Sequence, residues 1–316
     1  MSWWQTWQAL RDVGVLGLNG RNADYTLVYN ERSRYPLVDD KLETKRLAIA
    51  SGIAVPALYG VVQIERQIRD LSPLLGAYPS FVIKPAEGSG GDGILVIDGR
   101  SKGLYRKANG QLMDEQSLGH HVSNILSGLF SLGGQPDKAL IEYRVQFDPV
   151  FGRITYQGVP DIRILVFRGV PIMAMVRLPT RMSDGKANLH QGAIGAGVDL
   201  GRGITLGGVW RNTTLDEHPD TGERVAGVQI PHWQRLLEIA ARCWELTGLG
   251  YIGVDLVLDA QLGPLVLELN ARPGLNIQIA NRSGLLPRLR WVENADMVSA
   301  SVAERVAFAR QSFVVG

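Results

Sequence analysis

A glycine-rich stretch at residues 87–97, EGSGGDGILVI, is the feature that most restricts how this chain can fold. Its glycines have the G-x-G-x-x-G spacing of a dinucleotide-binding fingerprint, and the same spacing recurs at residues 248–253. That fingerprint requires the glycines to follow a strand and to open a helix whose amino terminus faces a pyrophosphate. Here β-rich residues follow both stretches, and no Gly-Lys-Ser/Thr completes a Walker A loop. The pattern therefore argues against both nucleotide-binding folds and predicts strands around a glycine loop.

The first glycine stretch joins two predicted strands, FVIKP at 81–85 and ILVI at 94–97, and Lys84 lies on the first of them. Glycines let backbone N–H groups approach phosphate oxygens closely, and a strand lysine adds a fixed positive charge beneath such a flap. The stretch predicts a phosphate-binding flap, for which a plain surface hairpin is the alternative. The residues of this flap are Gly88, Ser89, Gly90, Gly91 and Gly93.

Two strands near the carboxyl end, YIGVDLVLD and PLVLELN, carry polar side chains inside apolar runs. If Leu258 pairs with Leu265 across the turn, Asp255 lies opposite Glu268, and cross-strand partners share a face of the sheet. Asn270 lies on that face as well. Carboxylate and amide oxygens are the ligands that Mg²⁺ prefers, and Mn²⁺ is an alternative cation. The pattern predicts a metal site here, with an ordinary solvated sheet face as the alternative.

A predicted hairpin at residues 161–179 contributes cationic groups. A three-residue turn would place Arg163 opposite Arg177, and like charges directly opposite are unfavourable unless an anion lies between them. A nucleoside triphosphate or an acyl phosphate would supply that anion. Asn188 and His190, in the glycine-rich loop NLHQGAIGAG that follows, are candidate donors to the same anion. Two solvated arginines, and a structural hydrogen bond for His190, are the alternatives.

Helical spacing alternates with these strands and predicts an α+β protein. Residues 80–145 are expected to form one compact lobe, and residues 201–230 are rich in loops and remain unassigned. The segments with helical spacing are 40–52, Glu115 to about Leu132, 232–248 and the tail from about Leu286.

The overall charge balance excludes several classes of partner. Thirty-three Lys and Arg residues stand against 31 Asp and Glu residues, and no run of like charges predicts a nucleic-acid tail.

Cys243 is the only cysteine, which excludes an intrachain disulfide or a thiolate zinc cluster and suits a reducing compartment. No apolar run approaches the length of a membrane span, and no signal peptide is recognisable. A soluble, cytoplasmic protein is expected.

The first residues are rich in tryptophan, and Trp3, Trp7 and Leu10 share one helical face. Such a face could dock on a membrane or on a partner. The polar face lacks the Lys and Arg residues of interfacial helices, so packing against the chain's own domain is favoured.

From about residue 40 to 290, the ordered motifs resemble those of the ATP-grasp superfamily. Within it, they look like the alpha-L-glutamate ligases of the ribosomal-protein-S6-modifying type. Each short motif is weak alone, but the ordered set is specific. The motifs are Asp40-Lys41, VIKP with the glycine flap, IEYRV with Glu142, DIRILV, VRLP, NLHQGA, GVDLVLD and LELNARPGLNIQ.

This resemblance implies an ATP-grasp fold, in which two α+β lobes clasp ATP. It also implies an ADP-forming reaction that joins a carboxylate to an amine through an acyl phosphate, with ATP and two Mg²⁺ ions as cofactors. The implied nucleotide contacts are Lys41, Lys84, the flap, Glu142 at the adenine and Asp161 at the ribose. The implied groups around the transferring phosphoryl and the later oxyanion are Arg163, Arg177 and Asn188. The implied metal ligands are Asp255, Glu268 and Asn270.

Two features depart from that family pattern. Only about forty residues precede Asp40-Lys41, where family members usually carry a full α/β domain, so the acceptor cannot be inferred from the resemblance. Arg272 stands where the glutamate ligases commonly have a serine or a similar small residue. An arginine there could clamp an acyl phosphate or an acceptor carboxylate, and an ion pair with a neighbouring acid is the alternative.

The domain organisation expected from these motifs has four parts. They are a shortened N-terminal region at 1–40, a linker helix and central ATP-grasp lobe with the flap at 41–145, a C-terminal lobe with the metal site at 146–290 and a C-terminal helix at 291–316.

The predicted function is an ATP- and Mg²⁺-dependent ligase that joins glutamate or another amino acid to a peptide or small acceptor. A nucleotide-binding regulatory protein without turnover and a phosphotransferase that stops at phosphorylation are the alternatives. Loss of activity usually shows first in the metal ligands and lysines, and all of them are present, which disfavours the regulatory alternative. The acceptor and the amino acid are not identified, and homo-oligomerisation stays open.

Overall fold

The structure is a computed structural model that describes residues 3–88, 90–131 and 133–314, with the side chains of Trp3, Thr6 and Trp7 left out. The chain divides into two compact units. Residues 40–46 and 55–146 form the six-stranded unit, and residues 1–39, 47–54 and 147–316 form the seven-stranded unit.

The α-helices of the described residues are numbered in chain order. They are α1 (Trp3–Asp12), α2 (Leu18–Gly20), α3 (Leu27–Tyr29), α4 (Pro36–Asp39), α5 (Lys41–Ala50), α6 (Leu71–Gly76), α7 (Glu115–Leu126), α8 (Trp233–Thr247), α9 (Asn276–Asn281), α10 (Leu286–Ala295) and α11 (Val302–Ser312). Residues Arg21–Thr26 form a π-helical segment, and 3-10 turns cover Arg32–Arg34, Glu65–Asp70, Pro149–Phe151, Leu189–Gln191 and Met297–Ser299. No helix within the described ranges has the length and apolarity that crossing a membrane requires.

The β-strands of the described residues are also numbered in chain order. They are β1 (Leu58–Val62), β2 (Phe81–Pro85), β3 (Leu95–Ser101), β4 (Leu104–Lys107), β5 (Leu112–Met113), β6 (Ala139–Glu142), β7 (Asp161–Phe167), β8 (Val170–Leu178), β9 (Ile194–Asp199), β10 (Ile204–Trp210), β11 (Thr213–Leu215), β12 (Tyr251–Asp259) and β13 (Gly263–Asn270). Together with the helices they confirm the predicted α+β class.

The six-stranded unit contains one antiparallel sheet with the order β1-β6-β2-β3-β4-β5. Apolar side chains of α6 and α7 pack against β2 and β3 to form its core. In this core, Leu75 and Ile125 are fully buried together with Phe81 and Ile83. The sheet therefore gives a rigid base to the residues at the end of β2.

The glycine flap joins two antiparallel strands, as predicted, because β2 pairs with β3 through Phe81 opposite Ile97 and Ile83 opposite Leu95. No helix follows the glycines, so the exclusion of a dinucleotide fingerprint is confirmed. Ser89 of the predicted flap lies outside the described residues.

Helix α7 is shorter than predicted, since it ends at Leu126 rather than continuing to about Leu132. Gly128 has a φ of +83°, and a Cβ atom there would lie 2.3 Å from the carbonyl oxygen of Gln135. This left-handed residue turns the chain sharply and ends the helix. Leu132 itself is not among the described residues.

The seven-stranded unit also contains one antiparallel sheet, with the order β11-β10-β9-β8-β7-β12-β13. Helix α8 packs on β7, β8 and β12, and it ends at Thr247 before the left-handed Gly248, as predicted. Strands β10 and β11 lie in the region that the sequence left unassigned.

The hairpin of β7 and β8 has a different register from the one predicted. Phe167 pairs with Val170, so the turn contains only Arg168 and Gly169, whose φ angles of 48° and 79° are both left-handed. Such a two-residue turn matches the twist of the flanking strands. A register irregularity follows between Leu165 and Val166.

This register corrects the expectation that Arg163 lies opposite Arg177. Arg177 instead pairs with Asp161, and Arg163 pairs with Met175. The two arginines still share a face of the sheet. Arg163 lies opposite Met175, and Arg177 is two residues further along the same strand, so its side chain points to the same side as that of Met175. A carboxylate, rather than a second guanidinium, is the direct neighbour of Arg177.

The predicted loop NLHQGAIGAG is a loop only in its first half, since residues from Ile194 onward form β9. The glycines of this strand serve close packing. A Cβ atom on Gly197 would lie 2.6 Å from the carbonyl oxygen of Ala280, so α9 approaches the strand more closely than any side chain would allow.

The register of β12 and β13 is as predicted where the polar residues lie, because Asp255 is opposite Glu268 and Gly253 is opposite Asn270. Towards the turn it differs by one residue. Leu258 pairs with Pro264, not with Leu265, because a bulge follows Asp255.

Helix α1 covers the tryptophan-rich start of the chain, and Trp4 is 66% exposed. The side chains of Trp3 and Trp7 lie outside the described set, so the packing of their shared face stays a prediction.

Candidate functional site

A cluster of buried charges lies at the end of β2 and β6 in the six-stranded unit. The Nζ atom of Lys84 lies 2.9 Å from Oε2 of Glu142, and the Nζ atom of Lys45 lies 3.2 Å from Oε1 of the same carboxylate. All three side chains are at most a tenth exposed. We call these three residues the lysine cluster; it holds two ammonium groups for one carboxylate.

Lys45 was not identified from the sequence. It lies one turn after Lys41 on α5 and also donates to the carbonyl oxygen of Pro56. Burial lowers the pKa of Lys45, Glu142 acts in the opposite direction, and the positive charge of Lys84 lowers it further. The spacing of four residues between Lys41 and Lys45 was the available signal, because it places both on one helix face.

The flap is anchored near both of its ends. Lys41 donates from Nζ to the carbonyl oxygen of Gly88, and Nε2 of His121 donates to the carbonyl oxygen of Gly93 at 3.0 Å. Burial lowers the pKa of His121, which favours the neutral ring. A Cβ atom on Gly93 would lie 2.6 Å from the ring of Phe130. The predicted residues Gly90 and Gly91 lie between these anchors, with left-handed φ angles of 69° and 84°.

In the seven-stranded unit, one face of β7, β8, β12 and β13 carries alternating charges. Arg163 binds Asp255 through two parallel hydrogen bonds, Nε to Oδ1 at 2.7 Å and Nη2 to Oδ2 at 2.6 Å. Arg177 binds both oxygens of Asp161 and also donates from Nη2 to Oδ2 of Asp255 at 2.8 Å. We call these four residues the arginine–carboxylate face.

The two carboxylates of this face differ in pKa. Burial raises the pKa of Asp161 to about 6, because the guanidiniums of Arg177 and, more weakly, Arg163 offset only part of the desolvation and the charge of Asp255 adds to it. Burial also disfavours the charged form of Asp255, but Arg163 and Arg177 together lower its pKa to about 2. Asp255 is therefore the firmly ionised member.

Both arginines retain unused donors. The hydrogen bonds of Arg163 and Arg177 to carboxylates use their Nε and Nη2 atoms and leave each Nη1 without a protein partner among the described residues. Each guanidinium is held rigidly by its carboxylate, and 13–14% of each side chain remains exposed. This face can donate to an anion with little reorganisation.

Asp255, Glu268 and Asn270 remain the candidate ligands for a cation. No group of three or more His, Cys, Asp or Glu side chains in the described ranges is arranged to hold a metal by itself. The oxygen chemistry nevertheless fits Mg²⁺, since Oδ1 of Asp255 and Oδ1 of Asn270 each accept one hydrogen bond and each keep a lone pair. Glu268 lies directly opposite Asp255 on the same face.

Two further predicted residues lie in loops of this unit. Asn188 caps the 3-10 turn Leu189–Gln191 and accepts from the backbone N–H of His190 at 2.9 Å. Arg272 follows β13, and its backbone N–H donates to Asn270 at 3.0 Å. The functional roles assigned to these residues, and to the lysine cluster and the arginine–carboxylate face, stay predictions.

Comparison with known proteins gives the class first: the chain is an ATP-grasp protein, and its two α+β units carry the fold that the sequence motifs predicted. The family described as "Sugar-transfer associated ATP-grasp" matches residues 20–294, and the chain belongs to this family.

Curated relatives are similar at about one residue in four. A probable alpha-L-glutamate ligase of Enterobacter sp. (strain 638) is 26% identical over 268 residues, which cover 84% of this chain and 64% of that protein. A ribosomal protein bS6–L-glutamate ligase of Escherichia coli O7:K1 (strain IAI39 / ExPEC) is 26% identical over 293 residues, covering 90% of this chain and 71% of the relative. The chain thus spans less than two thirds of the Enterobacter protein.

Solved structures resemble the chain more weakly. The ATP-grasp ligase PsnB complexed with a minimal precursor has a TM-score of 0.46 at 14% identity, covering 84% of this chain and 62% of its own. A D-alanine–D-alanine ligase of Bacillus anthracis complexed with ATP has a TM-score of 0.45 at 12% identity, covering 90% and 70%.

Proposed function

We propose that this protein is an ATP- and Mg²⁺-dependent carboxylate–amine ligase that acts through an acyl phosphate and releases ADP. The lysine cluster carries this proposal. Lys45 and Lys84 are both buried and share the one carboxylate of Glu142, so the cluster keeps a net positive charge away from water. Buried charge is costly without a partner, and a polyphosphate would supply that partner.

The arginine–carboxylate face supports the phosphoryl-transfer part of this proposal. Its free Nη1 donors are fixed in place by Asp255 and Asp161, and preorganised donors stabilise the charge that develops on a transferring phosphoryl group. Asp255, Glu268 and Asn270 would hold the cation. When bound, Mg²⁺ would offset phosphate charge in the transition state.

The proposed reaction has two steps. An oxygen of the substrate carboxylate attacks the γ-phosphorus of ATP, the bond to the β–γ bridging oxygen breaks, and ADP leaves. An uncharged amine then attacks the acyl carbon, the bond from this carbon to the phosphate oxygen breaks, and the amine loses a proton to solvent. The products are an amide and a phosphate that contains one oxygen of the original carboxylate.

The proposed substrates are an amino acid, such as glutamate, and a peptide or small acceptor. Relatives named as glutamate ligases support the amino acid. The name of the family adds an association with sugar transfer and specifies no acceptor. A screen of amino acids, synthetic peptides and cell extract for an ATP-dependent gain in mass would identify the pair.

An isotope experiment tests the chemistry once a pair is found. With the carboxylate labelled by ¹⁸O, one labelled oxygen is expected in the released phosphate and one in the amide. ADP formation should require both the carboxylate and the amine. ADP formed with the carboxylate alone would favour a phosphotransferase, and no ADP in any mixture would favour a regulatory nucleotide-binding protein.

Glu268→Ala tests the metal assignment. We expect the variant to lose Mg²⁺-dependent ATP turnover, because the cation loses an oxygen ligand, while its far-UV circular dichroism stays that of the parent. Glu223→Ala, an exposed glutamate of the same unit, is the matched control and should keep full turnover. Near-normal turnover in Glu268→Ala would overturn the assignment.

A further inference from the structure

Arg272 is exposed and follows Asn270, one of the candidate metal ligands, by two residues in the chain. Its Cζ atom lies 5.4 Å from the centre of the Tyr35 ring, within the range of a cation–π contact. In the ranges 3–88, 90–131 and 133–314, no carboxylate forms an ion pair with Arg272. The side chain is therefore oriented by an aromatic ring and keeps its hydrogen-bonding edge unoccupied by an acid.

A second arginine holds the backbone on which Arg272 lies. Arg21 is 7% exposed and donates from Nη1 to the carbonyl oxygens of Arg272 at 3.3 Å and Pro273 at 2.9 Å. Its Nε and Nη2 atoms donate to Oδ1 of Asn22. Asn30 adds a hydrogen bond to the carbonyl oxygen of Ala271 at 2.8 Å. Segments from the start of the chain thus fix the loop after β13.

The positive charge of Arg272 acts on the guanidinium of Arg21. Burial lowers the pKa of Arg21, Tyr251 acts in the opposite direction, Arg272 lowers the pKa further, and Tyr35 raises it. Arg21 hydrogen-bonds only to neutral oxygens among the described residues. An anion bound at Arg272 would offset the repulsion between the two guanidiniums.

We propose that Arg272, which stacks on Tyr35 and whose backbone carbonyl oxygen accepts a hydrogen bond from Arg21, binds a carboxylate or phosphate group of the acceptor substrate. The planar fork of a guanidinium binds both groups through two parallel hydrogen bonds. That the anion belongs to an acceptor rests on the proposed ligase function; the anion site itself does not. The acceptor class that follows is an anionic one, such as an acidic peptide or a phosphorylated small molecule.

Chemical modification tests the site without knowledge of the acceptor. Phenylglyoxal attacks accessible guanidiniums, and peptide mapping by mass spectrometry gives the rate at each arginine. We expect either inorganic phosphate or glutarate to slow modification of Arg272 by about tenfold, as expected for a charge-assisted pair. Arg235, half exposed on α8 in the same unit, is the control and should keep its rate. A modification rate at Arg272 that neither phosphate nor glutarate lowers would overturn the proposal.

Comparing protection by phosphate with protection by glutarate distinguishes a phosphorylated acceptor from a carboxylate acceptor. Protection by inorganic phosphate alone assigns a phosphorylated group, and protection by glutarate alone assigns a carboxylate. Saturating Mg²⁺ and ADP in a parallel series excludes protection that arises from the nucleotide site.

Variants test the role of the ring. Tyr35→Phe keeps the aromatic face and should keep the protection of Arg272, whereas Tyr35→Ala should lose most of it. Both are checked for folding by circular dichroism. Full protection in Tyr35→Ala would overturn the part assigned to Tyr35.

The outcomes for the subsite and for the ligase are distinct. If an anion protects Arg272 but the protein never forms ADP, the ligase function is refuted and the anion site is still supported. ADP formation with normal substrate dependence but no anion-sensitive labelling of Arg272 would refute the anion site alone.

Discussion

At the residue scale, the position of Glu142 at the end of a strand was predicted from the sequence, but its ion-pair partners were not. The motif indicated a residue at the end of a strand, and the structure has it there on β6, 2% exposed. Its ion pair with Lys45 depends on where α5 lies, and no sequence pattern specifies that. The carboxylate balances lysines from two separate elements.

Glu142→Gln is expected to destabilise the protein by about 3–5 kcal/mol, because removing one partner leaves buried charges uncompensated. Lys45→Met is expected to cost less than half as much, since Lys84 and Glu142 still form a neutral pair. Urea unfolding of the two variants and the parent measures the difference. A Glu142→Gln protein as stable as Lys45→Met would contradict this account of the cluster.

For Arg163 and Arg177, the predicted register was wrong. The sequence placed the two arginines directly opposite each other across the hairpin, whereas Arg177 pairs with Asp161 and Arg163 pairs with Met175. The turn consists of Arg168 and Gly169 in left-handed conformations, and an arginine with positive φ is uncommon enough that the sequence favoured a later turn. Asp255 comes from a third strand, β12, and its Oδ2 atom accepts hydrogen bonds from both guanidiniums, a contact that the hairpin sequence alone does not indicate.

At the element scale, the register predicted for β12 and β13 is right at the polar residues and wrong near the turn. Asp255 lies opposite Glu268 as predicted, although the pairing of Leu258 with Leu265 from which this was inferred does not occur. The bulge near the turn has no compositional signature, so Leu258 was assigned the wrong partner. The same reasoning missed β9, whose glycines resemble a loop but are required by packing.

Gly197→Ala is predicted to destabilise the protein by about 1–3 kcal/mol through overpacking. The added methyl would meet backbone atoms of Ala280 and Asn281, which cannot rotate away as a side chain can. Thermal unfolding followed by circular dichroism measures the loss. Gly17→Ala is the control, since a Cβ atom there meets nothing within 4 Å and φ is an ordinary −79°. Equal melting temperatures for both variants would contradict the packing argument.

At the scale of the whole molecule, spectroscopic reporters are unevenly distributed between the units. All seven tryptophans and the one cysteine belong to the seven-stranded unit, and the six-stranded unit has neither. Tryptophan fluorescence and thiol labelling therefore follow one unit, whereas circular dichroism follows both. This distribution allows the two units to be distinguished in unfolding experiments without engineered probes.

Cys243 is predicted to be inert towards Ellman's reagent at pH 8 while the protein is folded. Burial raises its pKa to about 12, so the native thiol stays protonated at pH 8 and lies out of reach of the reagent. In urea its pKa returns to about 8.5, and labelling is expected to accelerate by about a thousandfold or more. Absorbance at 412 nm measures the rate. Rapid native labelling would contradict the burial of α8 against the sheet.

The bulge beside Asp255 also divides the β12–β13 hairpin into two parts with different registers. Because the bulge accommodates a one-residue offset, the pairing near the turn can change without changing the inner pairing, where Asp255 lies opposite Glu268. The tip, with Leu262 56% exposed, can then gain or lose residues while the inner pairing persists. We expect this tip to accept an inserted epitope tag, and natural length variation in such proteins should concentrate there.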